Sequence, residues 1–191
     1  MARYQFLRAI CLGPLQIPSG ATHINVKLLD GVRPITVLCM FCTAASTTIT
    51  DYERNPFNFM HLNVTEAFLK FENQEIPPAK FDIDFDRSST IELYDEFQRT
   101  CQNLYRNASA NGYTYQRFKD GGTIYPFKCD PHPYNPDVTN SRPTGSLTAH
   151  FRLKSPTTEA INLYYMCFYQ NTVGIDYLRN VSLDYIPGCP S

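Results

Sequence analysis

Short apolar runs broken by Pro and Gly fill most of the chain, and two periodicities run through them. Leu147, Ala149, Phe151 and Leu153 alternate with Thr148, His150, Arg152 and Lys154. A period of two predicts a strand with one dry face and one wet face. Residues 22–29 alternate in the same way, and Asp30-Gly31 after them predicts a turn. Residues 34–43 and 161–169 are apolar or aromatic at nearly every position, as strands covered on both faces are. Further short strands are predicted at 63–71, 123–129, 174–178 and 180–185. The turn at 72–75 leads from the first of these towards Ile76-Pro77-Pro78. Over 88–105 the period changes: Ile91, Tyr94, Phe97, Cys101, Leu104 and Tyr105 fall at helical spacing. Ser89 and Glu92 ahead of that run fit a capping box.

The remaining segments read as loops. Residues 107–122 are rich in Asn, Gly and Ser, and 130–145 carry prolines at 131, 133, 136 and 143. No internal repeat is present. Seven to nine short strands and one inserted helix near residues 89–105 predict an all-β fold, an antiparallel jelly-roll β-sandwich. The expected layout is a poorly defined lead-in over 1–21, one jelly-roll domain over 22–187 and a short tail over 188–191.

Composition narrows the functional classes. At 191 residues, one domain could bury about 70% of its unfolded surface. Lys+Arg is 17 against 18 Asp+Glu, and specific nucleic-acid binding is not expected at that balance. Only 18% of residues are charged, while 13 Tyr and 13 Phe supply large packing surfaces, in a core or against neighbouring subunits. No apolar run approaches the roughly 20 residues of a membrane span. The first 15 residues are too interrupted by Gly13 and Pro14 to read as a signal peptide. Sequons at Asn63, Asn107 and Asn180 are close to the number chance would place.

Candidate chemistry is sparse. The seven cysteines are odd in number and irregular in spacing, which reads as buried free thiols. Cys39 and Cys42 form a C-x-x-C, but on a strand residues three apart face opposite sides. They cannot share a metal there. The histidines at 23, 61, 132 and 150 include no His-x-His, so a cupin-type metal enzyme lacks its ligands. His132 reads as a solvated loop residue and His150 as part of a wet strand face. Asp82, Asp84 and Asp86 would share one face of a strand, read as a solvated face in preference to a cation site. No nucleophile elbow, P-loop or dinucleotide fingerprint occurs. Catalytic, cofactor-binding and metal residues are therefore all expected to be absent, and the chain is not expected to be an enzyme.

Four segments occur together in order. The first is Arg54-Asn55-Pro56-Phe57-Asn58-Phe59-Met60-His61-Leu62-Asn63, running on to Ile76-Pro77-Pro78. The second is Tyr94-x-x-Phe97, and the third Tyr125-Pro126-Phe127-Lys128-Cys129-Asp130-Pro131. The fourth is Gly145-Ser146-Leu147 with Phe151-Arg152-Leu153, followed by Ile175-Asp176-Tyr177-Leu178-Arg179-Asn180-Val181 and Asp184-Tyr185. This order resembles the C-terminal jelly roll of double-jelly-roll major capsid proteins, of the type found in Polinton (Maverick) transposons and adintovirus-like elements.

Local chemistry gives these residues structural roles. Asn55-Pro56 is a turn, and Pro126 belongs at a sheet edge or bulge. Gly145 ends the long loop, and Asp176 could pair with Arg179 next to Asn180. The resemblance implies a capsid subunit that packs side by side with a copy of itself or a companion jelly roll in a trimeric capsomer. It places a working product in a virion, and otherwise inside the cell. Family members carry two jelly rolls and this chain has room for one. It therefore corresponds to a fragment, or to a truncated or domesticated copy. The expected interfaces are the loops 107–122 and 130–145 and the strand 161–169. The alternative is a lectin-like or cytokine-like binding module that holds a glycan or a protein on its loops.

Overall fold

The computed structural model describes residues 2–44, 55, 57–87, 89–104, 112–130 and 143–183. Its strands are β1 (Ala2–Ile17), β2 (His23–Val32), β3 (Thr36–Thr43), β4 (Val64–Phe71), β5 (Gln74–Asp82), β6 (Tyr125–Lys128), β7 (Thr144–Leu153), β8 (Ile161–Ile175) and β9 (Val181–Leu183). Helices α1 (Ile91–Leu104) and α2 (Tyr115–Lys119) lie between β5 and β6.

The pairings are nested. β1 pairs β8, β2 pairs β7, β3 pairs β6 and β4 pairs β5, all antiparallel. Folding the chain back on itself in this way and rolling it up produces two sheets. One has the order β1-β8-β3-β6, with β9 added on β8, and the other the order β2-β7-β4-β5. This is the jelly-roll β-sandwich that the alternating pattern predicts.

The inner faces meet in an aromatic core. Phe151 of β7 lies 4.9 Å from Phe41, 5.4 Å from Tyr125 and 6.1 Å from Phe127, ring centre to ring centre. Leu147, Ala149, Phe151 and Leu153 are all buried, so the period-two reading of β7 holds. β3 is covered on both faces. Val37, Cys39 and Phe41 face the main core, while Leu38 packs with Leu104 of α1 and Phe168 of β8. Cys39 and Cys42 thus point to opposite sides, and Cys42 donates to the carbonyl of Asn162. Burial raises both thiols above their ordinary range, which leaves them protonated.

Several expectations fail for local reasons. Residues 2–17 are not an ill-defined lead-in; they form a full strand along β8. Gly13-Pro14 hid it, because the pair sits at a bulge between Leu12 and Leu15 that the register absorbs. Asp30-Gly31 is not a turn. β2 runs through it to Val32, with Gly31 opposite Gly145. Gly145 lies inside β7 and is there because of a close approach: a Cβ would stand 2.5 Å from Oε1 of Glu72. That same oxygen accepts the Ser146 amide.

The three aspartates do not share a strand face. The chain turns after Asp82, and Oδ1 of Asp84 accepts the amides of Asp86 and Arg87 at 2.9 and 3.2 Å. Residues 174–178 are not a separate strand but the end of β8 and the turn after it.

The helix is present with a different cap; Tyr94, Phe97, Cys101 and Leu104 face the core as their spacing predicts, Ile91 does not, and Tyr105 falls outside the described residues. Leu93, Phe97, Thr100 and Leu104 form its buried side, and Ile91 is 66% exposed. Ser89 is held in a bridge with Asp84, so Thr90 caps the helix, accepting the Tyr94 amide on its carbonyl. The Thr90 hydroxyl bonds the Tyr115 hydroxyl at 2.6 Å, which ties α1 to α2. α2 itself lies in the stretch expected to be all loop. Thr114 caps it by accepting the Arg117 amide.

Phe151→Ala should lower the unfolding free energy by about 3–5 kcal/mol, because three ring contacts are lost in a core that cannot collapse around the gap. Ile91→Ala should change it by less than about 0.5 kcal/mol. Urea unfolding of the two variants checks both values.

Candidate functional site

β8 is longer than the sandwich it belongs to. Its first half, through Phe168, pairs with β3, and its far end, Val173–Ile175, pairs with β9. β1 follows it along the other edge, from Ile17 opposite Ile161 to Ala2 opposite Ile175. The distal parts of β1 and β8, with β9, form a three-stranded ribbon.

The register sorts this ribbon by chemistry. Residues directly opposite in an antiparallel pair share a face. Tyr4 sits opposite Val173, and Phe6 opposite Asn171. Ala2, Ile175 and Val181 form the outermost row of the same face. The other face carries Arg3, Gln5, Thr172, Gly174 and Ser182, with Gln170 donating to Gln5 at 2.9 Å.

The apolar face is the inner face of the sheet, continued outwards. Leu163, Tyr165, Cys167 and Tyr169 alternate along it as buried core, followed by the buried Asn171. Beyond that row the cover ends: Phe6 is 39% exposed, Tyr4 59% and Val181 64%. Tyr177 and Leu178, in the turn between β8 and β9, are exposed as well. One sheet overhangs the other and leaves core-type residues facing solvent. Arg8, opposite Tyr169, and Asn171 are the polar members of this face, and the exposed aromatic and aliphatic side chains beyond them are of the kind that marks a contact surface.

Asp176 holds the turn that places β9. Its carboxylate accepts the Asn180 amide and the Asn180 side chain, each at 2.8 Å. Its carbonyl accepts the Arg179 amide at 3.1 Å. The expected Asp176–Arg179 pair is replaced by Asp176–Asn180. The two Asn180 donors hold the Asp176 carboxyl below its ordinary value.

The other residues singled out in the sequence lie apart from this surface. Oδ1 of Asn55 accepts the Phe57 amide at 2.9 Å and so makes the expected turn, while Pro56 falls outside the described residues. Phe57 is exposed and meets Phe59 edge-on. Phe59 bridges to Gly122. Tyr125 and Phe127 are core residues, and the Tyr125 hydroxyl donates to the carbonyl of His61 at 2.6 Å. Pro126 sits on β6, the edge strand of its sheet, where a missing donor is tolerated. Gly145 serves the Glu72 contact.

These residues form no single site. The strand 161–169, expected as an interface, is core along its inner face. Of the expected interface loops, residues 107–111 and 131–142 fall outside the described residues. So does His132.

Comparison with known proteins agrees with the fold. No known protein-family profile matches the chain. It is 28% identical over 134 residues to the uncharacterized protein F54H12.2 of Caenorhabditis elegans, an alignment covering 69% of this chain and 32% of that protein. Among solved structures it is similar to a chain in the 3.5 Å cryo-EM structure of the Sputnik virophage. The TM-score is 0.53 at 12% identity, over 98% of this chain and 39% of that one. The chain therefore spans well under half the length of either protein.

A signal for the overhang was present in the sequence. Ala2, Tyr4 and Phe6 alternate with Arg3 and Gln5, which is a strand pattern at the very start of the chain. The burial of Asn171 and the exposure of Val181 had no signal of that kind.

The Asp176 turn should depend on pH. Its folded pKa is depressed, so its contribution is complete above the ordinary value of 3.8 and is lost as pH falls through the lower folded value. The protection of the Val181 and Ser182 amides, measured against their intrinsic exchange rates at each pH, should fall over that acid range. In Asp176→Ala it should be low already at neutral pH.

Proposed function

We propose that this chain is an assembly module, a jelly roll that builds a capsid-type shell by packing against other jelly rolls, and that it has no catalytic role. The observation that carries the reading is the overhang. A folded domain that leaves Tyr4, Phe6 and Val181 uncovered on the continuation of its own core face has a surface shaped for another apolar face. Burying rigid aromatics is an effective way to hold such an interface. Two further findings support it. The fold is similar to that of a chain from a virus, and four sequence segments, in order between Arg54 and Tyr185, resemble double-jelly-roll capsid proteins of Polinton and adintovirus type. The chain spans 39% of the virophage chain. A companion jelly roll in the same subunit, and three such subunits in a capsomer, complete the proposal, with the virion as the working location.

Sedimentation velocity over a range of concentrations tests it. The chain should self-associate, or bind a companion jelly roll supplied with it. Tyr4→Ser and Phe6→Ser should each weaken association by about 2 kcal/mol while leaving the circular dichroism spectrum unchanged. A chain that stays monomeric at every concentration, alone and with a companion jelly roll, would overturn the proposal.

A further inference from the structure

A second feature lies in the loops at one end of the sandwich. Residue 58 and residues 60–63, 119–121 and 155–158 line an open cleft of about 500 Å³. Its size is that of a small-molecule site.

The cleft is built around His61. The imidazole stacks on Phe85, with ring centres 4.4 Å apart. Its Nδ1 accepts the Asn63 amide at 3.0 Å. A neutral imidazole that accepts at Nδ1 carries its proton on Nε2, so the tautomer is set and Nε2–H is left as a donor. Burial lowers the His61 pKa and keeps the ring neutral near pH 7. The His61 carbonyl is fixed as well, accepting the Tyr125 hydroxyl at 2.6 Å and the Val64 amide at 3.1 Å.

The turn that presents His61 is strained. Leu62 and Asn63 have φ of +51° and +46°, a left-handed pair in which a leucine is costly. Strain of this kind persists where the surrounding structure enforces it, and it gathers at functional sites. Across the cleft Gly121 is required. Its φ is +104°, and a Cβ would lie 1.9 Å from Oδ1 of Asn58.

The remaining lining is mixed. The side chains of Asn58, Asn63, Ser155 and Thr158 line the cleft and make no hydrogen bond among the described residues. Asp120 uses Oδ2 to accept from Gln116 and has Oδ1 to spare. Met60, Leu62 and Pro156 supply apolar surface between these polar groups. The charges of Lys119 and Asp120 offset one another, so there is no excess of positive charge for a phosphate. Among the described residues no group of His, Cys, Asp and Glu is arranged to hold a metal ion.

Amides and hydroxyls both donate and accept. The ligand that matches them group by group is one whose own polar atoms do both, set on an apolar ring, with no net charge. We infer that this cleft is a binding site for a neutral saccharide, with His61 Nε2–H and the Asp120 carboxylate as the orienting pair. The site is separate from the overhang and does not depend on the assembly reading.

The test is amide-detected NMR of the full chain, titrated with the methyl glycosides of glucose, galactose, mannose and N-acetylglucosamine at tens of millimolar. At least one should shift the amides of Asn63, Asp120 and Gly121 in a saturable way. Asp120→Ala, at an exposed position, should weaken that glycoside about tenfold, the effect of losing one charge-assisted hydrogen bond. Thr158→Ala should weaken it to a lesser degree. Three results would each overturn the inference: no saturable shift with any of the four, shifts that survive both substitutions unchanged, or shifts produced by inorganic phosphate in place of the sugars.

Discussion

β8 is hydrogen-bonded along both edges, and the rest of the sandwich is arranged by that fact. β1 takes one edge for its whole length, and β3 and then β9 share the other. A strand in this position must be apolar on whichever faces are covered, which is why 161–169 contains so little that is polar. It also sets the length of the sheet. Because β8 runs on past Phe168, where β3 stops, its neighbours are carried beyond the second sheet. The overhang is thus a consequence of strand length, and its chemistry follows from the pleat: each residue that points inwards in the core has a successor two places on that points the same way into solvent.

The aromatic cluster around Phe151 joins this framework to the loops. Phe41, Tyr125 and Phe127 come from one sheet and Phe151 from the other, so the cluster closes the sandwich. Tyr125 also reaches out of it, and its hydroxyl satisfies the His61 carbonyl. Burial raises the Tyr125 phenol well above its ordinary range, so it stays a donor. One buried side chain in this way sets both the core and the position of the His61 turn. The segments around Asn55 and Tyr125, far apart in sequence, belong to one local structure for that reason.

Charge contributes less. Most ion pairs among the described residues lie at the surface, as with Arg99–Asp95 along α1 and Lys80–Glu66 between β5 and β4. Pairs of this exposure contribute little to stability. Lys128–Glu96 at 2.8 Å, about three-quarters buried, joins β6 to α1 and orients the helix on the sheet. The layers are held by apolar burial, and the loops are placed by hydrogen bonds from Asp84, Thr114, Asp176 and Tyr125.

Much of the fold was legible. β7 showed its alternation, β3 and β8 their two covered faces, α1 its change of period and β6 its edge-compatible proline, because each pattern reports a local periodicity of burial. Asp30-Gly31 misled, since a turn dipeptide forms a turn only where the chain must reverse, and β2 has to reach the end of its sheet. Ser89 lost the cap to Thr90 because Asp84 held its backbone in a bridge. The three aspartates were misread because burying Phe85 against His61 requires the chain to bend between them. By itself the sequence determined the all-β class and the faces of the central strands, which depend on neighbours a few residues away. The overhang, the Asp176–Asn180 turn and the fixed tautomer of His61 were decided only by the tertiary structure. The overhang depends on where one strand ends relative to another, set by pairings more than a hundred residues apart along the chain; the other two are short-range contacts, Asn180 on Asp176 and the Asn63 amide on His61, whose backbone geometry the packed sheets impose.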